Sequence, residues 1–571
     1  MEEFREIEGC SVIVYDQGCA AELRRKRHRN LAPEPEERVF INKAVCEGCG
    51  DCSVQSNCIA IEPAETPMGR KREINQSACN VDLSCLKGFC PSFVTIKGAQ
   101  PRKGEGVVLQ DADLPEPPVP PVLDTPFNIA VTGIGGTGVL TIGGIIGMAA
   151  HLDGKAAMVL EVAGLAQKGG AVISHIRLCS DPDHISTPRI AGGSADLLLA
   201  ADSVVAISRE SMEMLSTERT AAIVNGHNAP VANFVRDRDF DFRQDAVLQA
   251  IRDSVKPRPR IVDFHRFATK VIGDAIASNM MMVGYAWQLG LLPLSEAALM
   301  RAIAMNGVAI AMNKTAFRWG RVAAADPERV AELLVPAKDE RAVSDMTLDE
   351  IISHRTQHLT AYQDAKLAEK YRTAVSRIRA VEGKLGSEAL TRAVAINYAK
   401  VLAYKDEYEV ARLLTDPGFE KELRETFEGD GKLSFHLAPP LVSKIDPDLG
   451  RPKKKRFGEG MRMPLRWVAK MKSLRGSALD IFGRSAERKR ERGLIKTYEA
   501  MLDEIAGSLS AENKRAAVAL ASAPDSVRGF GPVKLAAMDK FDRQWPELLR
   551  RYRVARQEAA APAAEAKQPA L

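Results

Sequence analysis

The 571-residue sequence predicts a multidomain α/β protein with a small cysteine module, a doubly wound α/β domain and a largely α-helical C-terminal domain. Three observations support this prediction. Seven of the ten cysteines lie between residues 46 and 90. Alternating strand-like and helix-like patterns begin at residue 127. From about residue 340 the sequence is charged and helix-prone, without strand alternation.

The composition is that of an ordinary globular protein, with 45% hydrophobic and 27% charged residues. Its 79 basic and 74 acidic residues leave a net charge of +5, which argues against a general nucleic-acid-binding protein. No uninterrupted apolar stretch reaches about 18 residues, so we expect no membrane span. The start, MEEFREIEGC, is acidic and lacks the apolar region of a signal peptide. We therefore expect a cytoplasmic protein whose clustered cysteines bind metal.

Residues 1–37 are predicted to form an N-terminal arm. The stretch SVIVYDQGCA (11–20) is typical of a buried strand and its exit, and a basic run from Arg24 to Arg29 follows it. So short a piece cannot bury a core alone. We expect the arm to dock onto a partner or onto the next module, with a solvated charged tail as the alternative for the basic run.

Residues 38–97 form the predicted cysteine module. Cys46, Cys49 and Cys52 have the C-x2-C-x2-C spacing that lets three thiolates wrap one cubane iron–sulfur cluster. The fourth ligand in such modules is a distant cysteine followed by proline, and here Cys90 precedes a proline. The spacing therefore predicts a ferredoxin-like two-cluster module in which these four cysteines bind one [4Fe–4S] cluster.

The second predicted cluster has three cysteines, Cys58, Cys79 and Cys85, and the position of the missing fourth cysteine is occupied by Asp82. A carboxylate binds iron as a harder and more weakly held ligand than a thiolate. We expect a [4Fe–4S] cluster with Asp82 as fourth ligand, which readily loses that iron to give a [3Fe–4S] form. Zinc is the alternative, but zinc sites usually use paired C-x2-C motifs or histidine, and no histidine lies between residues 29 and 150.

The remainder of the chain is divided by composition. Residues 98–126 form a proline-rich linker and residues 127–335 the α/β domain. Strands are predicted in FNIAVT, AAMVLEV, ISHIRL, ADLLLAAD with SVVAIS, and RIVDF, which favours a parallel, doubly wound sheet closed by apolar helices over 274–325. Residues 336–558 form the helical C-terminal domain, and residues 559–571 a low-complexity, disordered tail.

A glycine loop follows the first strand of the α/β domain. Its G-x-G-x-x-G glycines are Gly133, Gly135, Gly136 and Gly138. Such glycines let a phosphate approach backbone amides at a helix N-terminus, and Glu161 at the end of the next strand would suit a dinucleotide ribose. Glu161 lies 23 residues past Gly138, however, so the fit is loose. A second turn, formed by Lys168, Gly169 and Gly170, either contacts an anionic group such as a phosphate or is a plain surface turn.

These motifs resemble one enzyme family. Residues 46–93 closely resemble the ferredoxin segment of indolepyruvate:ferredoxin oxidoreductases of the fused bacterial type. GIGGTGVLTIGGIIGMAAHLDGK and KGGAVISHIR look like the γ domain of 2-oxoacid:ferredoxin oxidoreductases. The region from about 340 to 555 resembles the C-terminal extension of the fused enzymes, whereas their thiamine-binding halves have no counterpart in this sequence.

The resemblance implies that decarboxylation and electron transfer take place on different chains. A separate thiamine diphosphate-binding, Mg²⁺-dependent subunit would decarboxylate the 2-oxoacid, and the clusters of this chain would relay electrons to ferredoxin within a hetero-oligomer. Coenzyme A would take the acyl group, with the glycine loop and Lys168 as candidate contacts, and no catalytic residue is assigned to this chain. The alternatives are an NAD(P)H-linked iron–sulfur oxidoreductase and a non-catalytic iron–sulfur carrier.

Overall fold

The computed structural model describes residues 2–14, 16, 18, 20–28, 31–102, 114–164, 170–227, 232–335, 341–439, 443, 445–446 and 451–560. The described chain forms a short N-terminal segment, a cysteine module, an α/β domain and a helical region. Among the described helices, none has the length and apolar composition needed to cross a membrane.

The N-terminal segment contains two short helices, α1 (Glu2–Arg5) and α2 (Ala20–His28). Residues 11–14 are exposed and form no strand, so the prediction of a buried strand in this segment is wrong. The residues are β-prone, but no described element pairs with them, and an unpaired strand cannot satisfy its backbone groups.

The basic run of α2 docks onto the cysteine module. Arg24 donates a hydrogen bond to the carbonyl of Ser77, and Arg27 Nη1 donates to the carbonyl of Asn80 at 2.6 Å. Both acceptors flank Cys79. Of the two interpretations of this run, the docked arm agrees with these contacts.

The cysteine module is built on an antiparallel pair of strands and a hairpin. Its elements are β1 (Glu37–Ile41), α3 (Asp51–Ser56), β2 (Ile61–Ala64), β3 (Lys71–Ile74), β4 (Phe93–Lys97) and β5 (Gln100–Pro101). β1 pairs with β4 so that Ile41 lies opposite Phe93, and β2 pairs with β3. Ile41 and Phe93 are 2% and 1% exposed, so this end of the pair lies in the module's core.

The α/β domain contains a six-stranded sheet with helices on both faces. Its elements are β6 (Phe127–Ile134), α4 (Val139–Leu152), β7 (Ala156–Ala163), β8 (Ala171–Cys179), β9 (Leu197–Ala200), α5 (Ser203–Ala206), α6 (Arg209–Glu213), β10 (Ala221–Asn225), α7 (Ala232–Arg236), α8 (Gln244–Arg252), β11 (Arg260–Val262) and α9 (Phe264–Val271). The closing helices are α10 (Ser278–Gln288), α11 (Glu296–Asn306), α12 (Ile310–Ala325) and α13 (Pro327–Leu334). The helical prediction for 274–325 is therefore confirmed.

The sheet is mixed, with strand order β11-β10-β9-β6-β8-β7. β6, β9, β10 and β11 are parallel, as predicted, but β8 runs antiparallel to both β6 and β7. The prediction of a wholly parallel sheet is wrong at β8, because residues 164–170 are too short for the crossover that parallel strands require. The strand predicted in SVVAIS is also wrong. It begins helix α5, where Asp202 accepts hydrogen bonds from the Val204 and Val205 amides.

Most of the helical region packs around one apolar core. Its helices are α14 (Leu348–Tyr362), α15 (Ala365–Glu382), α16 (Ala389–Leu402), α17 (Glu407–Leu414), α18 (Pro417–Thr426), α19 (Arg462–Lys470), α20 (Ala486–Ala506), α21 (Lys514–Ser522) and α22 (Gly531–Ala560). A stack of tyrosines, Tyr371, Tyr398 and Tyr498, lies at the centre of this core. Helices α17 and α18 instead pack against the cysteine module.

Five short strands interrupt these helices: β12 (Phe427–Glu428), β13 (Lys432–Leu437), β14 (Ile445–Asp446), β15 (Arg451–Pro452) and β16 (Lys455–Phe457). β13 pairs with β4 and β16 pairs with β13, which extends the sheet of the cysteine module to the order β1-β4-β13-β16. We expected helices without strands here. The alternation of Leu433, Phe435 and Leu437, all buried, is the period of a strand.

The cysteine module also contacts the α/β domain. Arg72 Nη2 donates to the carbonyl of Arg238 at 3.1 Å, and Asn75 Nδ2 lies 3.2 Å from His265 Nε2. The His265 ring stacks on that of His227 with centroids 3.8 Å apart. Burial lowers the pKa of both imidazoles to about 4, so both rings are neutral near pH 7.

Candidate metal centres and phosphate loop

Four thiols converge on one small cavity in the cysteine module. Cys46, Cys49, Cys52 and Cys90 all line it. The first three lie on the loop after β1 and in the first turn of α3, and Cys90 lies just before β4. The pairing of β1 with β4 brings these two parts of the chain together, as the cysteine spacing predicts.

The loop between Cys46 and Cys52 depends on two glycines with left-handed backbone conformation. Gly48 has φ of 63° and Gly50 has φ of 78°. A Cβ on Gly48 would lie 2.4 Å from the carbonyl oxygen of Arg70, and Gly48 N donates to Cys46 Sγ at 3.3 Å. The loop therefore wraps around the cavity with a sulfur already accepting a backbone hydrogen bond.

Asp51, the first residue of α3, connects the cysteine loop to the turn that contains Cys90. Its Oδ2 accepts a hydrogen bond from the Phe89 amide at 2.6 Å, next to Cys90. Arg451 Nη1 pairs with both carboxylate oxygens of Asp51, at 2.9 and 3.0 Å. The position of Cys90 relative to α3 therefore depends on a carboxylate and on a cation from the C-terminal half of the chain.

Cys58, Cys79 and Cys85 form a second group. Burial and the charges of Cys79, Cys58 and Asp82 together raise the pKa of Cys85 to about 12. Burial also raises the pKa of Cys79, with Cys58 and Asp82 as acidic neighbours. These three thiols are therefore neighbours, and their assignment to a second cluster stays a prediction.

Asp82 is exposed and is engaged in a turn. Its Oδ1 accepts hydrogen bonds from Ser84 N at 2.9 Å and from Ser84 Oγ at 2.7 Å. The flanking residues Val81 and Leu83 have φ of 53° and 60°, in the left-handed region that non-glycine residues rarely adopt. One carboxylate oxygen thus caps the turn, and the ligand role of Asp82 stays a prediction.

Burial favours the protonated form of three thiols in the first group, Cys49, Cys52 and Cys90. Burial raises the pKa of Cys49 to about 11 and raises the pKa of Cys52 and Cys90 as well, with the neighbouring thiols adding to the shift. A metal must therefore displace these protons on binding. Four sulfur donors around one cavity are the donor set of an iron–sulfur cluster, so the residues fit that group.

Buried cations that the sequence analysis missed surround the first group. Arg72 lines the cavity and is 1% exposed. Lys454 Nζ donates to the carbonyls of Gly88 and Cys90, at 2.5 and 3.5 Å. Lys405 Nζ donates to the Cys46 carbonyl at 3.1 Å. These charges offset the negative charge of deprotonated thiols in a buried site. The only signal in the sequence was the lysine-rich stretch around Lys454.

The glycine loop of the α/β domain connects β6 to α4. Gly138 has φ of 84°, and a Cβ there would lie 1.9 Å from Asn279 Nδ2, so only glycine fits. Asp202 Oδ2 accepts a hydrogen bond from Ile134 N at 2.5 Å, which fixes the end of β6. Gly136 is exposed with φ of 99°, and Gly133 is buried within β6.

The second glycine turn adjoins this loop. Gly135 N donates to the Gly170 carbonyl at 2.8 Å, so the two are neighbours. Because the Gly135 amide is already engaged, it is not free for a phosphate in this conformation. Lys168 and Gly169 lie outside the described residues.

The sheet topology places Glu161 too far from the glycine loop to bind the ribose of a dinucleotide. β8 lies between β6 and β7, so Glu161 on β7 is two strand spacings, about 10 Å, from the strand that leads to the glycine loop. In a dinucleotide-binding fold the acidic residue follows the strand directly beside the first. The topology therefore disfavours NAD(P) at this loop.

Two protein families match the chain. Residues 128–323 match the family "Pyruvate ferredoxin/flavodoxin oxidoreductase". Residues 348–547 match a family of unknown function, DUF6537. The first match spans the α/β domain and the second spans most of the helical region, including β12 to β16.

Curated relatives agree with the first match. Indolepyruvate oxidoreductase subunit IorB of Archaeoglobus fulgidus is 30% identical over 158 residues, which are 28% of this chain and 74% of the relative. Subunit IorB of Methanothermobacter thermautotrophicus is 30% identical over 202 residues, 35% of this chain and 98% of the relative. The γ subunit of a keto/oxoacid ferredoxin oxidoreductase from Geobacter sulfurreducens is 20% identical with a TM-score of 0.25, covering 35% of this chain and 98% of that one. The chain therefore belongs to the family of indolepyruvate oxidoreductase subunit IorB.

Proposed function

We propose that this chain is the iron–sulfur and γ subunit of an indolepyruvate, or aryl-pyruvate, ferredoxin oxidoreductase. The observation that carries the proposal is the convergence of Cys46, Cys49, Cys52 and Cys90 on one cavity. It occurs in a chain whose curated relatives are indolepyruvate oxidoreductase subunits.

The two groups of thiols support ligands for two clusters. The first group of four cysteines would hold one [4Fe–4S] cluster, and Cys58, Cys79 and Cys85 would hold the second with Asp82. When bound, such clusters accept and release electrons one at a time, which suits transfer from a thiamine-bound reaction to ferredoxin.

The surrounding residues stabilise charge and exclude water. Arg72 and Lys454 place positive charge beside the first group, where burial makes electrostatic interactions strong. Four of the seven thiols, Cys46, Cys52, Cys85 and Cys90, are buried, and this shields them from solvent. Asp51 holds the Cys90 turn against α3 through the Phe89 amide.

The remaining assignments concern partners. Decarboxylation of the 2-oxoacid would take place on a thiamine diphosphate-binding subunit with Mg²⁺, in a cytoplasmic hetero-oligomer. Coenzyme A would take the acyl group, with the glycine loop (Gly133, Gly135, Gly136 and Gly138) and the turn Lys168, Gly169 and Gly170 as its contacts on this chain. The positive φ at Gly136 and Gly138 supports a loop that a phosphate can approach.

Metal analysis of the full chain, prepared without oxygen, tests the ligand assignment. We expect about eight irons and as much acid-labile sulfide per chain. Cys90→Ser should remove about half of the iron, and Cys58→Ser the other half, because each cysteine belongs to a different group. Cys10→Ser is the matched control, because Cys10 is exposed and lies outside both groups.

Activity with a thiamine-containing partner subunit tests the reaction. We expect reduction of ferredoxin that depends on an aryl-pyruvate and is lost in Cys90→Ser but retained in Cys10→Ser. Zinc without sulfide in the wild type, or unchanged iron in both cluster variants, would refute the proposal.

A further inference from the structure

A larger cavity lies between the cysteine module and the helical region. Its volume is about 520 Å³, a size typical of small-molecule sites. Its walls come from the start of β3 on one side and from α14, α16, α20, α21 and α22 on the other. Among the described residues that line it there is no cysteine, so it is separate from the candidate metal centres.

The charge of this cavity is strongly positive. Its lining contains eight basic and three acidic side chains, an excess of five basic groups. The cations are Arg70, Lys71, Arg355, Arg392, Lys400, Lys405, Arg528 and Lys534, and the acids are Glu47, Glu491 and Asp525. An excess of this size in a partly buried space attracts an anion.

The acids are already engaged by lysines of the same cavity. The ion pairs are Lys405–Glu47 at 2.7 Å, Lys534–Glu491 at 2.5 Å and Lys400–Asp525 at 3.2 Å. Asp525 pairs with Arg528 as well. Glu47 also attracts Lys71, but its direct ion pair is with Lys405.

Lys71 is a buried amine that lies beside the Glu47–Lys405 ion pair without a hydrogen bond of its own. It is 8% exposed, and its ammonium group has no hydrogen bond or ion pair with any described residue. Burial and the nearby Lys405 lower its pKa to about 7, against the attraction of Glu47 and Cys46. A buried ammonium without a hydrogen bond is unfavourable in a protein interior, so an anion that enters this cavity from solvent would favour the charged form of Lys71.

The rest of the lining is largely apolar. Ile396 and Val401 on α16, Leu494 on α20, Val518 on α21 and Met538 on α22 face the same space. A lining that combines a few polar groups with many apolar side chains is typical of sites for small organic molecules. Inorganic phosphate would leave these apolar residues without a partner.

We propose that this cavity binds a small organic anion. Its carboxylate or phosphate head would pair with Lys71, and its apolar body would lie against α16, α20 and α21. The proposal is independent of the proposed electron-transfer function, because it rests on residues that are not cluster ligands.

Thermal unfolding of the full chain with three probes at equal ionic strength tests this site. The probes are phenylacetate, phenyl phosphate and inorganic phosphate. We expect phenylacetate or phenyl phosphate to raise the unfolding temperature, because a ligand that binds only the folded state stabilises it. The probe of this pair that raises the unfolding temperature more shows whether the site prefers a carboxylate or a phosphate head. Inorganic phosphate should bind at least tenfold more weakly.

Three variants separate binding from stability. Lys71→Met should unfold at the same or a higher temperature without ligand, since it removes a buried amine that makes no hydrogen bond, and should lose at least tenfold in probe affinity. Ala393→Leu, which narrows the cavity from α16, should weaken the phenyl probes. Lys97→Met changes an exposed lysine of β4 and should leave binding unchanged.

Three results would overturn the proposal. One is the absence of any stabilisation of the wild type by the phenyl probes. Another is equal stabilisation of the wild type and Lys71→Met, which would indicate general charge screening. The last is binding of inorganic phosphate as tight as that of phenyl phosphate, which would refute the role of the apolar wall.

Discussion

Replacing Asp51 with alanine should release iron from one of the two predicted clusters. The carboxylate is 8% exposed and accepts from the Phe89 amide at 2.6 Å and from Arg451 at 2.9 Å. Because Phe89 precedes Cys90, these contacts hold one thiol against the loop that contains the other three. The change therefore acts on the position of a predicted ligand and not on the ligand itself.

The size of the effect follows from the two contacts. A hydrogen bond to a charged acceptor contributes about 1.5–3 kcal/mol. The ion pair adds about 0.5 kcal/mol, because the Arg451 side chain is 26% exposed and solvent screens it. The sum of about 2–3.5 kcal/mol corresponds to about 30- to 300-fold faster iron release if the whole loss falls on the iron-loaded state.

Iron release from the full chain to a chelator, followed by the loss of visible absorbance, measures this effect. Only the phase that Cys90→Ser abolishes should accelerate. Asp51→Asn keeps an oxygen acceptor for the Phe89 amide and should show a smaller acceleration, about tenfold. Glu36→Gln, which removes an exposed partner of Lys97 in the same module, should change nothing. Release from Asp51→Ala at the wild-type rate would refute the reasoning.

Three further predictions concern other parts of the chain. Asp82→Cys should prevent formation of a three-iron electron paramagnetic resonance signal on mild oxidation, and a wild type that never gives this signal would contradict the ligand role of Asp82. Gly138→Ala should lower the free energy of unfolding by about 2–4 kcal/mol in urea titrations, from its φ of 84° and from the clash with Asn279. Adding Asn279→Ala should restore only the part of the free energy of unfolding that the clash costs, because the backbone strain remains. An unchanged urea midpoint in Gly138→Ala would contradict the geometry. Burial holds the pKa of His265 at about 4, below its unfolded value of 6.5, so the unfolded state takes up a proton first and stability should fall as the pH drops from 6.5 towards 4. His265→Asn should flatten this decline in pH-dependent unfolding while exposed His184→Asn retains it, and equal slopes in both variants would exclude His265 as a source.

The sequence predicted those features that depend on local spacing. The C-x2-C-x2-C run and Cys90 before proline are a local rule for wrapping a cluster, and the four thiols indeed meet at one cavity. The direction of β8 was predicted wrongly because strand composition does not encode orientation. The short connection from β7 to β8 does indicate an antiparallel orientation, and its length could have been estimated from the sequence.

The charged environment of the site could not be predicted, because it depends on contacts between distant residues. Nothing near Arg72 or Lys405 in the sequence marks them as neighbours of the cysteine loop. Lys405 reaches the Cys46 carbonyl across 359 positions of the chain. Lys71 is equally inconspicuous in sequence, since a lysine beside an arginine on a short strand is ordinarily solvated.

The segment that interrupts the helices makes the cysteine module depend on the C-terminal half of the chain. β13 covers the edge of β4, where Leu433 lies opposite Ile96, and Phe435 is fully buried in the module's core. The same segment brings Arg451 to Asp51 and Lys454 to the carbonyl of Cys90. Without it, β4 would present an unpaired edge, and the first thiol group would lose two of its cations. The region that matches a family of unknown function therefore has at least one physical role here, which is to complete the sheet and the charge balance of the candidate metal centre.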